Sequence, residues 1–228
     1  MGVKRANTTP KTRVFLVDDH PIVRRGLQLL LSLEPDLMVC GEADSGPVAL
    51  ERILALNPDV VVVDLTLKTS SGLELIKQLR AQHRTVKILV FTMHDESFYA
   101  DRAIHAGANG YITKEEGTEK AVEGIRLLMQ GKLCLSERVA AKMMDRLVGG
   151  GAKAKGVSVE SLSDRELEVL ELIGTGLGSR EIAGRLHLSI KTVESHREHI
   201  KTKLGLKGAS DLVNFAFNWI REPGRPIA

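Results

Sequence analysis

Three carboxylates, one hydroxyl and one amine are the groups in this chain whose setting points to chemistry. Asp18 and Asp19 close the run VFLVDD, Asp64 closes DVVVVD, Thr92 closes KILVFT, and Lys114 follows GYIT. Aspartate is seldom buried without a partner, so an acid at the end of a run of valines must meet something there. In an open parallel sheet, ligands bind beyond the carboxyl ends of the strands, and all five groups sit at such ends. Three carboxylates gathered together repel one another and need a compensating cation. Hard oxygen donors favour Mg²⁺, which takes few carboxylates and keeps several waters. Such an ion, with the Lys114 ammonium, would neutralise the oxygens of a phosphoryl group, and the Thr92 hydroxyl could bond one of them. One carboxylate would then be the nucleophile, forming an aspartyl phosphate. Asp64 is the best candidate because its strand aims it alone at the crevice, while the adjacent Asp18 and Asp19 suit the metal.

Taken singly, each residue has a plainer role. A strand-terminal aspartate commonly caps a turn or helix, and Asp18 and Asp19 could cap a helix starting near Pro21. The reading rests on their joint occurrence, in order, at four strand ends. His20 is expected to pack at the crevice rim. His94, two residues past Thr92, either packs or stands beside an attacking water.

The elements that must position these groups alternate along the first 130 residues. Short apolar runs fall at 13–17, 37–42, 59–63, 86–91 and 109–113, with helix-period segments at 21–33, 45–56, 71–81, 97–106 and 117–130. Five strand–helix repeats predict a parallel sheet with helices on both faces, and near-continuous Val/Ile/Leu strands agree with cover on both sides. A helix is predicted near 136–147, then GGGAKAKG (149–156) reads as a flexible linker of roughly 15 Å root-mean-square span. Helices alone follow, at 163–173, 179–186, 190–204 and 208–220, with Ser163, Ser179 and Ser189 as caps. The expected division is therefore 11–130, a linker region 131–160, and a small all-helical domain 161–223.

Two of these helices, joined tightly through HLS, form a helix-turn-helix pattern. On the second, Val193, Ile200 and Leu204 align as the buried stripe, with His196 near it as a packed residue. Its outward side and first turn carry Lys191, Thr192, Glu194, Ser195, Glu198 and Lys201, the candidates for the DNA major groove and its phosphates. On the last helix, Leu212, Val213, Ala216 and Ile220 are expected inside. Phe215 and Trp219, four residues apart, either form a dimer contact or close over the domain's own core.

Composition narrows the rest. A net charge of +3 is too small to imply a nucleic-acid partner without a motif. No apolar stretch approaches the ~20 residues of a membrane span, and MGVKRANTTPKTR lacks the apolar region of a secretion signal. Cys40 and Cys134 fit reduced, inert thiols, so a cytoplasmic location is the expectation.

The set VDDHP, VVVDLTL…G, VFT and GYITK resembles the receiver domain of two-component response regulators, over about residues 11–130. The resemblance implies a five-stranded flavodoxin-like fold and phosphorylation of Asp64 by a partner histidine kinase. It implies Mg²⁺ held by Asp19 directly, by Asp18 mainly through water, and by the backbone carbonyl of Thr66. Thr92 and Tyr111 match the family's switch residues: Thr92 is drawn toward the phosphoryl group and Tyr111 turns inward. Residues 162–206 resemble the LuxR-type helix-turn-helix, and the combination is that of the NarL/FixJ subfamily. This implies a transcriptional regulator, double-stranded DNA as partner, and a homodimer reading two half-sites. The chain departs from the family at Lys68 and Glu115, where proline is usual; Lys68 is expected to alter phosphoryl lifetime or kinase choice. Three other readings remain. They are a receiver fold that has lost phosphorylation, a flavodoxin without an evident phosphate loop, and a haloacid-dehalogenase-type hydrolase. The last needs a second acid where Thr66 stands.

Overall fold

Val60–Val63 is buried at every residue, and that run is β3, the central strand of a five-stranded sheet. The computed structural model describes residues 10–67, 70–82, 85–148 and 159–221. The chain divides into two units, Met1–Asp145 and Arg146–Ala228. In the first, β1 (Thr12–Val17), β2 (Leu37–Ala43), β3, β4 (Lys87–Thr92) and β5 (Gly110–Thr113) lie parallel in the order β2-β1-β3-β4-β5. Helices α1 (Pro21–Leu33), α2 (Gly46–Leu56), α3 (Gly72–Gln82), α4 (Glu96–Ala106) and α5 (Thr118–Met129) connect and follow them.

Period-two alternation sends neighbouring strand residues to opposite faces. Val14, Leu16, Val60, Val62, Leu89 and Phe91 pack with Leu27 and Leu31 of α1 and Ile125 and Leu128 of α5. Val61, Val63, Ile88 and Val90 point to the other face and are equally buried. Each such valine contributes roughly 1.5–3 kcal/mol by leaving water. Polar groups can therefore meet water only at the strand ends, and the strand ends form the crevice.

α6 (Glu137–Val148) follows β5 and α5. The segment before it pairs with β5, since Tyr111 N donates to Cys134 O at 2.8 Å. The Ser136 hydroxyl accepts from Val139 N at 3.2 Å and starts the helix. The Gly-rich stretch 149–156 and Lys68 lie outside the described residues.

The second unit holds α7 (Asp164–Gly174), α8 (Ser179–Arg185), α9 (Ile190–Lys203) and α10 (Ala209–Trp219). Ser163 and Glu166 cap α7 reciprocally, and the Ser189 hydroxyl accepts from Thr192 N at 3.0 Å to start α9. Ser179 is a helical residue and not a cap. Gly178 precedes the helix, and its N–H is taken by Glu181 Oε2 at 2.8 Å. The turn between α8 and α9 carries His187 at φ 52°, a left-handed position that glycine usually fills.

α10 corrects the expected stripe and, of the two alternatives for Trp219, places it in the domain's own core. Its buried residues are Leu212, Ala216 and Trp219, spaced by four and three as a helix face requires. Trp219 is 5% exposed and belongs to this unit's own core, while Val213 is 42% exposed. Phe215 is half-buried. The outward aromatic is Phe217, 3.7 Å beneath the Arg221 guanidinium. The buried face is turned by about 50°, roughly half a residue's step, from the sequence-based expectation, with Leu212 and Ala216 common to both.

Candidate functional site

The parallel registers bring four strand ends to one edge of the sheet, and the crevice there closes around Asp64. Its carboxylate, 3% exposed, accepts from the Thr92 hydroxyl at 2.7 Å on Oδ1. Its Oδ2 lies 2.5 Å from Lys114 Nζ. The same ammonium reaches Asp18 Oδ2 at 2.7 Å. Asp18 Oδ1 accepts from His20 N at 2.8 Å, and Arg24 Nη1 donates to the Asp18 backbone carbonyl at 2.6 Å. His20 stands at the rim, its Nδ1 2.7 Å from Asp19 Oδ1 and 3.3 Å from Asp18 Oδ1.

Burial, and then the facing charge of Asp64, push the Asp18 carboxyl above its usual value, while Lys114 pulls it back. For Lys114, burial disfavours the ammonium, but Asp64 and Asp18 outweigh it and hold its pKa above the ordinary lysine value. Among the described residues one ammonium thus serves two buried anions, and Asp19 is not reached by it. Asp19 Oδ1 is buried and makes no well-aligned hydrogen bond, with His20 Nδ1 2.7 Å away as its ion-pair neighbour. Ligand atoms of Asp18, Asp19, His20 and Asp64 lie within 4.8 Å of one another. Among the described residues three carboxylates share this edge with one ammonium, a donor set that fits a hard divalent ion such as Mg²⁺.

The loop after Asp64 is held by a glycine. A Cβ on Gly72 would lie 2.1 Å from Asp64 O, so only glycine lets α3 begin this close to the acceptor strand. Thr66, two residues past Asp64, has its N–H 3.3 Å from Asp64 Oδ1 and its hydroxyl 2.9 Å from His94 Nε2. His94 also receives the Tyr111 hydroxyl on its backbone carbonyl at 2.9 Å, and its ring packs on Tyr99 at 4.3 Å. Tyr111 is already inside, at 3% exposure. The His94 carbonyl satisfies its hydroxyl here.

On α9, Val193, Ile200 and Leu204 are buried, and Lys191, Glu194, Ser195 and Glu198 lie exposed. Two further candidates are less free. The Thr192 hydroxyl is 2.7 Å from Ser189 Oγ at the cap, and Lys201, with 19% of its side chain exposed, pairs with Glu198 at 2.9 Å. His196 is half-buried with Nδ1 unbonded; burial, then Arg165, lower its pKa. Glu166, His196 and His199 cluster within 4.8 Å, but Lys203 Nζ, 2.6 Å from Glu166 Oε2, already supplies the cation. Arg165 bonds the Leu186 carbonyl at 2.7 Å and pins the turn of the helix pair.

Residues 14–126 match the response regulator receiver domain, and residues 160–216 match the bacterial regulatory proteins of the luxR family. The oxygen regulatory protein NreC of Staphylococcus epidermidis is 34% identical over 210 residues, covering 90% of this chain and 96% of NreC. The chain belongs to the response regulators.

Solved structures agree with that membership. RcsB from Salmonella enterica serovar Typhimurium, bound to a promoter in the presence of phosphomimetic BeF3⁻, is similar with a TM-score of 0.60. It shares 26% identity over 91% of this chain and 99% of its own. A LuxR-family response regulator from Aurantimonas is 36% identical over 60% of this chain and 99% of its own, with a TM-score of 0.56. This response regulator therefore pairs a receiver with a LuxR-type DNA-binding domain. Among its described residues, no helix is long and apolar enough to cross a membrane. Gly72 closes the motif VVVDLTL…G and Arg165 lies within the helix-turn-helix segment 162–206, but the sequence assigned neither a structural role.

Proposed function

We propose that this response regulator is switched by phosphorylation of Asp64 and binds specific DNA as a dimer to control transcription. One observation carries the reading: the Asp64 carboxylate lies 2.7 Å from the Thr92 hydroxyl and 2.5 Å from the Lys114 ammonium, at an open sheet edge. An Asp64 oxygen attacks the phosphorus of a phosphohistidine on a sensor kinase. The P–N bond breaks, and the imidazole leaves and takes a proton. Lys114 and Thr92 remain on the equatorial oxygens and favour the transferred group through fixed charge and a fixed donor. Asp18, Asp19, Asp64 and the Thr66 backbone carbonyl would hold Mg²⁺, which neutralises phosphoryl charge when bound. No separate substrate is turned over in this scheme, and the setting is the cytoplasm.

On the DNA side, Lys191, Glu194, Ser195 and Glu198 meet the major groove, with Lys201 and Thr192 supporting from their pairs. Two acids on that face limit non-specific attraction, so sequence is read by matched contacts. RcsB was solved as dimers on DNA, which supports two half-sites here. Acetyl phosphate and Mg²⁺ should add roughly 80 Da, one phosphoryl group, to the protein and nothing to Asp64→Asn. Selection of genomic fragments with and without donor then tests the switch. Identical fragments bound with equal strength in both states would end it.

A further inference from the structure

The hydrogen bonds around Asp64 lead outward to a helix that the phosphoryl chemistry does not use. α6 lies with its first turns on the start of α4. Arg138 approaches Asp95 Oδ1 at 3.9 Å and Glu96 Oε1 at 3.5 Å, and its guanidinium donates to Ser97 Oγ. Beside it Val139 is 6% exposed, and Val139, Met143, Ser97 and Asp101 wall a small cavity between the two helices. Asp95 is also the N-cap of α4, accepting from Ser97 N at 2.8 Å. Arg138 therefore grips the very groups that start α4.

Those groups are coupled to the crevice through one residue. Asp95 follows His94, which holds the Thr66 hydroxyl through its ring and the Tyr111 hydroxyl through its carbonyl. His94 N also lies 3.5 Å from Thr92 Oγ1. The segment leading into α6 pairs with the backbone of Tyr111. α6 is thus tied to Tyr111 twice, by main chain and through Arg138, Asp95 and His94.

We propose that Arg138 is a latch: it keeps α6 on the start of α4 while Asp64 is unmodified, and phosphorylation loosens it. The proposal rests on the phosphorylation reading above. A phosphoryl group on Asp64 takes the Thr92 hydroxyl, which now points at the carboxylate, and fills the space beside Thr66. Both changes act on His94, and any shift of His94 moves Asp95 and the geometry that Arg138 holds. Arg138 is 54% exposed, and exposed ion pairs are individually weak. A weak grip suits a switch, because a small local change decides it. α6 is the last helix before the chain passes to the second unit.

Hydrogen–deuterium exchange of the full-length protein, read on peptides spanning 137–148, tests this. In the wild type, acetyl phosphate with Mg²⁺ should speed α6 exchange by about two- to fivefold, the equilibrium shift that an exposed pair can supply. Arg138→Ala should exchange at the faster rate before treatment and change little after it, and Arg138→Lys should fall between. Unaltered α6 exchange in phosphorylated wild type, or full protection in resting Arg138→Ala, overturns the latch. Intact mass on the same samples reads phosphoryl occupancy. A missing adduct would sink the phosphorylation reading, whereas the resting comparison of Arg138→Ala with wild type still decides whether Arg138 holds α6.

Discussion

Replacing Lys114 by methionine removes the one ammonium, among the described residues, that faces both Asp64 and Asp18. The side chains are 9%, 3% and 4% exposed respectively, so solvent screens the loss little. Breaking a buried ion pair by deleting one partner costs about 3–5 kcal/mol. Sharing between two carboxylates favours the upper end of that range. Proton uptake by Asp18, whose carboxyl is already pushed up by burial and by Asp64, limits it. We expect a loss of about 3 kcal/mol at neutral pH in EDTA. Mg²⁺ at a hundred times its dissociation constant should return about 2.7 kcal/mol. The sign with pH follows from the raised folded pKa of Asp18. Stability tied to that group is greatest in acid and is lost as pH rises through the folded value, so the deficit of Lys114→Met should shrink toward acid. Urea unfolding measures it, with an internal control. Tyr99 and Tyr111 lie in the first unit and the single tryptophan, Trp219, in the second. Near-UV tyrosine signal therefore reports the receiver, while tryptophan fluorescence should stay at the wild-type midpoint. A deficit under about 1 kcal/mol, as for a surface pair, or a tyrosine midpoint that ignores Mg²⁺, would refute the picture of a buried, cation-starved crevice.

Gly72→Ala places a methyl group 2.1 Å from Asp64 O; we expect about 1–3 kcal/mol of destabilisation and slower labelling by acetyl phosphate, both read on purified protein. Lys191→Ala, on the exposed start of α9, should weaken binding evenly across DNA sequences and lower the salt slope by about 1, whereas Glu198→Ala should change sequence preference; fluorescence anisotropy over a salt series separates them. In Glu166, burial raises the carboxyl pKa, but Lys203 and Ser163 outweigh it and leave it below 4.5. Its contribution to the second unit is therefore present above 4.5 and lost as pH falls through the folded value, an acid transition in Trp219 fluorescence that Glu166→Gln should flatten.

The receiver's strands and the helices of both units were legible because their burial patterns are local: four consecutive valines, or apolar residues at helical spacing, admit one structure. Boundaries moved by a residue or so, as at β4, which takes in Thr92. α10 shows where periodicity alone fails. Leu212, Val213, Ala216, Trp219 and Ile220 are all apolar or aromatic, so two faces compete, and packing against α7 chose the one with Trp219 inside.

By itself, the sequence determined which chemical groups are available and on which strand ends they stand. Strand polarity and side-chain alternation are properties of the chain, and a parallel sheet leaves only one edge for its carboxyl ends. Tertiary structure alone decided how those groups share charge and hydrogen bonds. Lys114 bridges Asp64 and Asp18, Asp19 Oδ1 faces the His20 ring, and Tyr111 is turned inward onto the His94 carbonyl. Such pairings are settled at distances near 3 Å between residues well separated in the chain, 17 positions for Tyr111 and His94 and 50 for Lys114 and Asp64. At that range desolvation and Coulomb energies change steeply, and no spacing along the chain encodes them.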